Sequence, residues 1–301
     1  MKSREIFDLI LLAAIWGASF LFMRVSVPEF GAVPMMMLRV AIAALVLMPI
    51  VIWKKRLTLL WENIVPISIV GIVNSAIPFS LIAYSTLYVT AGFASVLNAA
   101  TPIFSAVIAF VWLKQRLSKS AIVGLLIGIC GVVFLVWDKI GFANSSESET
   151  AIAILSGVVS TLAYGLGANY SKKKLAGVDP VTITTGSQFV ATIVLLPLAI
   201  YWWPDHPPSS QGWLNVIYLA VICTALAQII YFRLIVKIGP TNTTSVTFLI
   251  PIFGLLWGYI FLNEIIEINT LIAGSVILLG TGLSTGVIRL GRQNQQNSVG
   301  K

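Results

Sequence analysis

Ten stretches of mostly apolar residues follow one another along this chain, and each is close to the roughly 20 residues that a helix needs to cross a bilayer. They cover residues 6–26, 34–53, 64–86, 91–113, 120–137, 151–171, 181–202, 213–235, 241–262 and 268–288. The chain is only 10% charged, whereas a soluble domain has about 25% charged residues. We therefore expect an all-α integral membrane protein with ten transmembrane helices and the lipid bilayer as its solvent.

The basic residues are distributed unevenly between the two sides of such a bundle. With the N-terminus on side one, sixteen of the 19 Lys and Arg residues fall on that side. Because Lys and Arg are enriched in cytoplasmic loops, both termini are expected in the cytoplasm. The first apolar run shows no clear cleavage site, so we interpret it as an uncleaved first span.

The two halves of the chain resemble each other. Residues 101–117 read TPIFSAVIAFVWLKQRL, residues 250–266 read IPIFGLLWGYIFLNEII, and Pro102 and Pro251 lie 149 positions apart. Five spans per half is an odd number, so the second copy enters the membrane from the opposite side, which predicts two inverted five-helix repeats. We assign the first repeat to 1–140, a connecting loop to 141–150, the second repeat to 151–290 and a cytoplasmic tail to 291–301. Inverted repeats are typical of transporters.

Several short motifs resemble EamA-type members of the drug/metabolite transporter superfamily. In the first half they are WGASF at 16–20, Leu38-Arg39 and the run from Pro102 to LKQRL at 113–117; in the second half, Pro251, Leu262-Asn263-Glu264 and a Gly-rich last span. The family often has Leu-Gly-Glu after the fourth and ninth spans, but Lys114-Gln115 replaces Gly-Glu in the first half. The resemblance implies a transporter of the cell inner (plasma) membrane that exports small metabolites, often amino acids or their relatives.

Polar and aromatic side chains inside the spans are the candidate substrate site, because lipid cannot satisfy a polar group. We select Trp16, Asn74, Tyr84, Asn98, Tyr164, Gln228 and Thr247. Hydrogen bonding between helices is the alternative role for the amides and hydroxyls, and simple packing for the aromatics, which also suit a mixed polar–apolar substrate. For Arg39 we favour a structural role, with snorkelling, pairing with a carboxylate or contact with an anionic group as alternatives.

Proline and glycine positions predict where helices bend and where they pack closely. Pro78, Pro102 and Pro251 lie within spans and each removes a backbone hydrogen bond, so we predict hinges there, with a packing bend as the alternative. Glycines recur in the fifth and tenth spans, and small residues permit close approach of helices. These spans either join the two halves or form the face of a homodimer.

Other functional classes find little support in the sequence. Cys130 and Cys223 lie in apolar runs and His206 is the lone histidine, so we expect no metal site, no catalytic set and no cofactor. The basic residues form no aromatic-interleaved face, so we expect no nucleic-acid partner. No phosphate-binding motif of the form GxxxxGK[ST] occurs, so we expect no direct use of ATP. No carboxylate falls at a predicted midplane, where a buried proton relay needs one, so we predict facilitated movement down a gradient, with coupling through other groups as the alternative.

We expect the partner to be a small-molecule metabolite, moved by alternating access, and the protein not to be an enzyme. The alternatives are a lipid flippase or a helper subunit built on the same scaffold, and an integral-membrane enzyme has the least support.

Overall fold

The computed structural model describes residues 3–137 and 145–288, and all regular structure in these ranges is helical. The membrane helices are α1 (Ser3–Phe30), α2 (Ala32–Trp53), α3 (Ile64–Ser85), α4 (Ala91–Leu113), α5 (Lys119–Trp137), α6 (Ser145–Lys174), α7 (Pro180–Tyr201), α8 (Ser210–Gly239), α9 (Asn242–Leu262) and α10 (Ile268–Ser284). Within the described ranges, nine are long and apolar enough to cross a membrane, and α10 is an apolar helix of 17 residues. The predicted all-α membrane fold is confirmed.

The ends of several elements differ from the sequence prediction. Helix α6 begins at Ser145, so the second part of the predicted connecting loop, 141–150, is helical, because a polar segment can extend a membrane helix beyond its apolar part. A short helix, Leu57–Glu62, precedes α3 and was not predicted. The predicted tail, 291–301, lies outside the described residues, and the repeat boundaries 1–140 and 151–290 stay predictions.

The helices pair across the two halves of the chain. Helix α1 packs against α8 and α9, and α6 packs in the same way against α3 and α4. Helix α2 packs against α7, and α5 against α10. Exchanging each helix for the one five places along the chain reproduces this pairing, as inverted repeats require. The result is two three-helix bundles, one of α1, α8 and α9 and the other of α3, α4 and α6.

Contacts between helix ends define the two faces of the molecule. Ser120 at the start of α5 donates to the carbonyl of Ile288 just beyond α10, at 3.5 Å. At the other face, the backbone N–H of Ser209 before α8 donates to the carboxylate of Glu29 near the end of α1, at 2.7 Å. We call the face where α1 begins and α10 ends the terminal face, and the opposite one the distal face.

The spacing of 149 residues also appears in the backbone. A π-helical segment, Ile72–Ala76, interrupts α3, and another, Val221–Leu226, interrupts α8 at the equivalent place. Helix α4 ends on Lys114 at φ 54°, and α9 ends on Asn263 at φ 52°, both in the left-handed region. The two halves therefore share local irregularities as well as apolar spans.

Glycines hold α5 and α10 close together. A Cβ added to Gly124 would lie 2.7 Å from the carbonyl oxygen of Gly280, and one added to Gly280 would meet the backbone of Gly128. Such contact is possible only where a side chain is absent from both surfaces. These glycines thus join the two halves within one chain, and a homodimer through the same helices stays a prediction.

Candidate functional site

A cavity of about 500 Å³ lies between the two bundles. On the distal side its wall ends near Met23 of α1 and Ile82 of α3. On the terminal side it extends to Thr244, near the start of α9, and to Thr285, just beyond α10. The cavity therefore begins within the protein and reaches the terminal face.

Six of the seven predicted site residues are among the described residues that line this cavity: Trp16, Asn74, Asn98, Tyr164, Gln228 and Thr247. Tyr84 does not line it. Its ring lies 5.6 Å from that of Tyr88 towards the distal face, and the side-chain hydrogen bond between them raises the pKa of Tyr88 above its usual value. Tyr84 lies two residues beyond Ile82, the last α3 residue in the described wall, and two residues are about half a helical turn, so the two side chains point in different directions.

Aromatic rings from both bundles face the cavity. Trp16 of α1 lies 5.3 Å from Tyr231 of α8, measured between ring centroids. In the other bundle Tyr164 of α6 lies 6.0 Å from Phe79 of α3. These tilted pairs give the cavity two apolar walls whose Tyr hydroxyls also offer hydrogen bonds, which suits a ligand with an apolar body and polar groups.

The π-helical segments bring polar side chains into the wall. Asn74 lies in the first segment and Thr224 in the second. Thr224 donates to the carbonyl of Leu219, five residues earlier, at 2.9 Å. Single-turn π segments are frequently found at functional sites. Their presence was not predicted, since apolar periodicity does not distinguish π from α geometry.

Arg39 lies in the cavity wall, where it is buried and contacts residues of two other helices. It is 7% exposed, so it does not snorkel. Its Nε donates to the hydroxyl of Thr224 at 2.8 Å, and its guanidinium lies 4.2 Å from the ring centroid of Phe79. Gln188 on α7, which is 149 residues after Arg39, lines the same cavity. It was not selected from the sequence, although the repeat spacing alone pairs it with Arg39.

A set of polar contacts, which we call the distal contact, seals the cavity from the distal face. The carboxylate of Glu264 accepts from the backbone N–H groups of Ala91 and Gly92, at 2.9 and 3.3 Å. Arg24 lies 4.0 Å from that carboxylate and donates to the carbonyls of Thr86 and Leu87. The contact joins the end of one bundle to the start of α4 in the other.

Among the described residues, the repeat does not place an equivalent contact at the terminal face. Gln115 stands where Glu264 stands in the second half, and Lys173 stands where Arg24 stands in the first. The ammonium of Lys173 lies instead 4.9 Å from the ring centroid of Trp112. This inequality between the halves parallels the asymmetry of the cavity, which stops short of the distal face and reaches the terminal face.

The three predicted hinge prolines are not placed alike. Pro102 lines the cavity and follows an interruption of α4 at residues 99 and 100. Pro251 is buried within the continuous segment Val246–Leu262 and is absent from the described wall. Pro78 follows the first π segment, and its carbonyl accepts from Ser160 at 2.8 Å. Of the repeat-related pair, Pro102 therefore lies in the described wall and Pro251 does not, and the role of the three prolines as hinges stays a prediction.

Titratable groups are sparse in this site. Within residues 3–137 and 145–288, no three His, Cys, Asp or Glu side chains cluster closely enough to hold a metal ion. The charged member of the described wall is Arg39. The site can therefore bind and orient a ligand through aromatic rings, hydroxyls, amides and one cation.

Comparisons with known proteins agree with this architecture. The EamA-like transporter family matches the chain twice, over residues 4–137 and 151–286. An uncharacterized transporter of Archaeoglobus fulgidus is 26% identical, over 90% of this chain and 95% of its own. A probable terminal-alkyne amino-acid exporter of Streptantibioticus cattleyicolor is 22% identical, over 99% of both chains. A solved crystal structure superposes with a TM-score of 0.66 at 16% identity, over 96% of this chain and 99% of that one, which shows the fold alone.

Proposed function

Because the chain belongs to the EamA-like transporter family, we propose that it exports small, partly polar metabolites such as amino acids by alternating access. The resemblance inferred from its motifs is confirmed, and the chain is a multi-pass membrane protein. The observation that carries the proposal is the cavity between the two bundles, sealed at the distal face and extending to the terminal face. Rocking of one bundle against the other would exchange the sealed and open sides.

The distribution of basic residues supports the direction. Sixteen of the 19 Lys and Arg residues fall on the terminal side in the predicted topology, which favours a cytoplasmic terminal face in the cell inner membrane. In that orientation the cavity is accessible from the cytoplasm, where metabolites for export are made. The name of the Streptantibioticus relative supports amino acids as the class of substrate.

A lipid flippase or a helper subunit could be built on the same scaffold and is the second candidate. Scrambling of labelled lipid tests the flippase. A lipid has two acyl chains, which would have to stay outside a cavity of about 500 Å³. An enzyme would need groups that act together as acid, base or nucleophile. The described wall offers hydroxyls, amides, a guanidinium and the thiol of Cys223, and no His, Asp or Glu lies in that described wall to act on the thiol as a base.

Counterflow in proteoliposomes tests the proposal. Purified protein is reconstituted, and entry of labelled amino acids and related metabolites is measured with and without a pH gradient. We expect wild type to move at least one small solute without dependence on the pH gradient. The cavity triple variant Asn98→Ala, Tyr164→Ala and Gln228→Ala should lose this transport, because all three side chains line the cavity.

A matched triple variant controls for folding and for the loss of the same side chains. Asn63→Ala, Tyr201→Ala and Gln211→Ala changes the same residue types outside the cavity wall and should transport like wild type. Equal transport by the cavity triple and wild type would reject the site. Scrambling of labelled lipid without movement of any solute would favour the flippase, and a requirement for the pH gradient would reject uncoupled transport.

A further inference from the structure

We infer that the substrate carries a single carboxylate and that Arg39 binds it. The inference deepens the proposed function and rests on it, since it names the chemical group by which the transported solute is recognised.

The guanidinium of Arg39 is held in place on two sides. Thr224 in the π segment of α8 accepts from Nε at 2.8 Å, and the ring of Phe79 on α3 lies beneath the guanidinium at 4.2 Å. Thr224 is itself fixed by its bond to the carbonyl of Leu219. Neither contact uses the hydrogen-bonding capacity of the two terminal nitrogens, Nη1 and Nη2, which can bind a carboxylate in the bidentate mode.

Those contacts do not include an anion among the described residues. Nη1 lies 4.0 and 3.9 Å from the sulfur atoms of Met23 and Met36, and thioether sulfur is a weak acceptor. Ion pairs in the described ranges lie at the helix ends, such as Asp8 with Arg233 at 2.8 Å, and no Asp or Glu lines the described part of the cavity. A buried charge without a counter-ion is unfavourable, and an anion in the cavity would relieve this.

The opposite half offers a complementary group. Gln188 occupies the position of Arg39 in the second repeat, and it is 3% exposed. Its Oε1 atom is buried without a hydrogen-bond partner among the described residues, yet the side chain lines the cavity. A carbonyl oxygen accepts hydrogen bonds, so it suits an N–H group of a ligand whose carboxylate is at Arg39.

The balance of charge favours a carboxylate over a phosphate. Within the described wall Arg39 contributes one positive charge and Gln188 contributes none. A phosphate group with nearly two negative charges would keep one of them unpaired in the cavity, at an energetic penalty. A carboxylate carries one charge and two oxygens that match the fork of the guanidinium.

Matched solutes that differ in the carboxylate alone test the inference. Leucine is compared with leucinamide, and phenylalanine with phenylalaninamide, in counterflow with wild type, Arg39→Gln and Arg39→Lys. We expect wild type to prefer the acid in each pair. Arg39→Gln should lower the ratio of acid to amide transport by roughly tenfold to hundredfold, the range for loss of a buried hydrogen bond to a charged group. Arg39→Lys should keep an intermediate ratio, because it retains the charge but loses the fork.

The ratio separates binding from folding. A merely structural Arg39 would lower transport of acid and amide equally in Arg39→Gln, and an unchanged ratio would overturn the inference. Arg56→Gln, on the exposed surface, should leave the ratio as in wild type. If wild type moves solutes of the larger panel but favours amides or shows no preference for acids, the inference fails while the proposed function stands. If wild type moves no solute at all, both fail.

Discussion

Replacing the Glu264 carboxylate by an amide should weaken the seal at the distal face. In Glu264→Gln the side chain keeps its length and one acceptor oxygen, but it loses the charge that faces the first N–H groups of α4 and Arg24. The contact joins elements of the two bundles, so its loss should favour the conformation that is open towards the distal face. In Glu264→Gln a larger fraction of the molecules is then open towards the distal face.

The size of the effect follows from three contributions. Exchanging a hydrogen bond to a charged group for a neutral one loses about 1–2 kcal/mol. Loss of a negative charge at a helix N-terminus adds roughly 0.3–1 kcal/mol. The ion pair with Arg24 adds well under about 1 kcal/mol, because it is 4.0 Å long and the Arg24 side chain is one-third exposed. A total near 2 kcal/mol corresponds to about a 30-fold shift in the conformational equilibrium.

Cys223, which lines the cavity, reports on this shift. In a Cys130→Ala background, a membrane-impermeant methanethiosulfonate reagent is added outside intact cells, and the rate of Cys223 modification is measured. While the distal-open state is rare, the rate is proportional to its population, so Glu264→Gln should react about 30 times faster. Glu62→Gln, on an exposed surface helix, should react like wild type. A rate within twofold of wild type in Glu264→Gln would refute the reasoning.

Two further predictions concern the stability of the scaffold. Lys114→Gly should raise the thermal midpoint in detergent by about 1–2 °C, since glycine adopts the left-handed conformation at the end of α4 at little steric cost. Lys54→Gly is the control, because Lys54 has a φ of −75° and should give no gain. An equal gain in both variants would contradict this explanation. Gly280→Val should destabilise the protein by roughly 1–3 kcal/mol, because its side chain would meet the backbone of Gly128. The exposed substitution Leu279→Val on the same helix controls for it, and equal midpoints for both variants would exclude close α5–α10 packing as the cause.

The sequence determined the fold well because the bilayer allows few alternatives. Each apolar run had to be a helix, and an odd number of helices in each repeat required inversion. Polar side chains inside the runs then had to face other protein groups or a cavity, and six of the seven selected residues do line the cavity. The cost of exposing a polar group to lipid was therefore enough to select residues that line the cavity.

The remaining features depend on interactions that a single sequence does not display. The orientation of Arg39 depends on Thr224, which is 185 positions away. The distal contact likewise depends on Glu264 reaching Ala91 and Gly92 at the start of α4, which are 173 and 172 positions away in the sequence. The surroundings of the prolines also depend on the fold, since Pro102 opens the second segment of α4 after its interruption, whereas Pro251 lies within a continuous helical segment.

The paired π segments have a mechanical consequence. A π turn accommodates an additional residue in a helix, so conversion of Ile72–Ala76 or Val221–Leu226 to regular α geometry would move the register of the following residues by one. One residue of register corresponds to a rotation of about 100° and a rise of about 1.5 Å. Such a rotation would turn Phe79 or Gln228 out of the cavity wall, while the part of the helix before the π segment keeps its place. Each half therefore contains, at the same position, a joint at which a small change in backbone hydrogen bonding exchanges the side chains presented to a ligand.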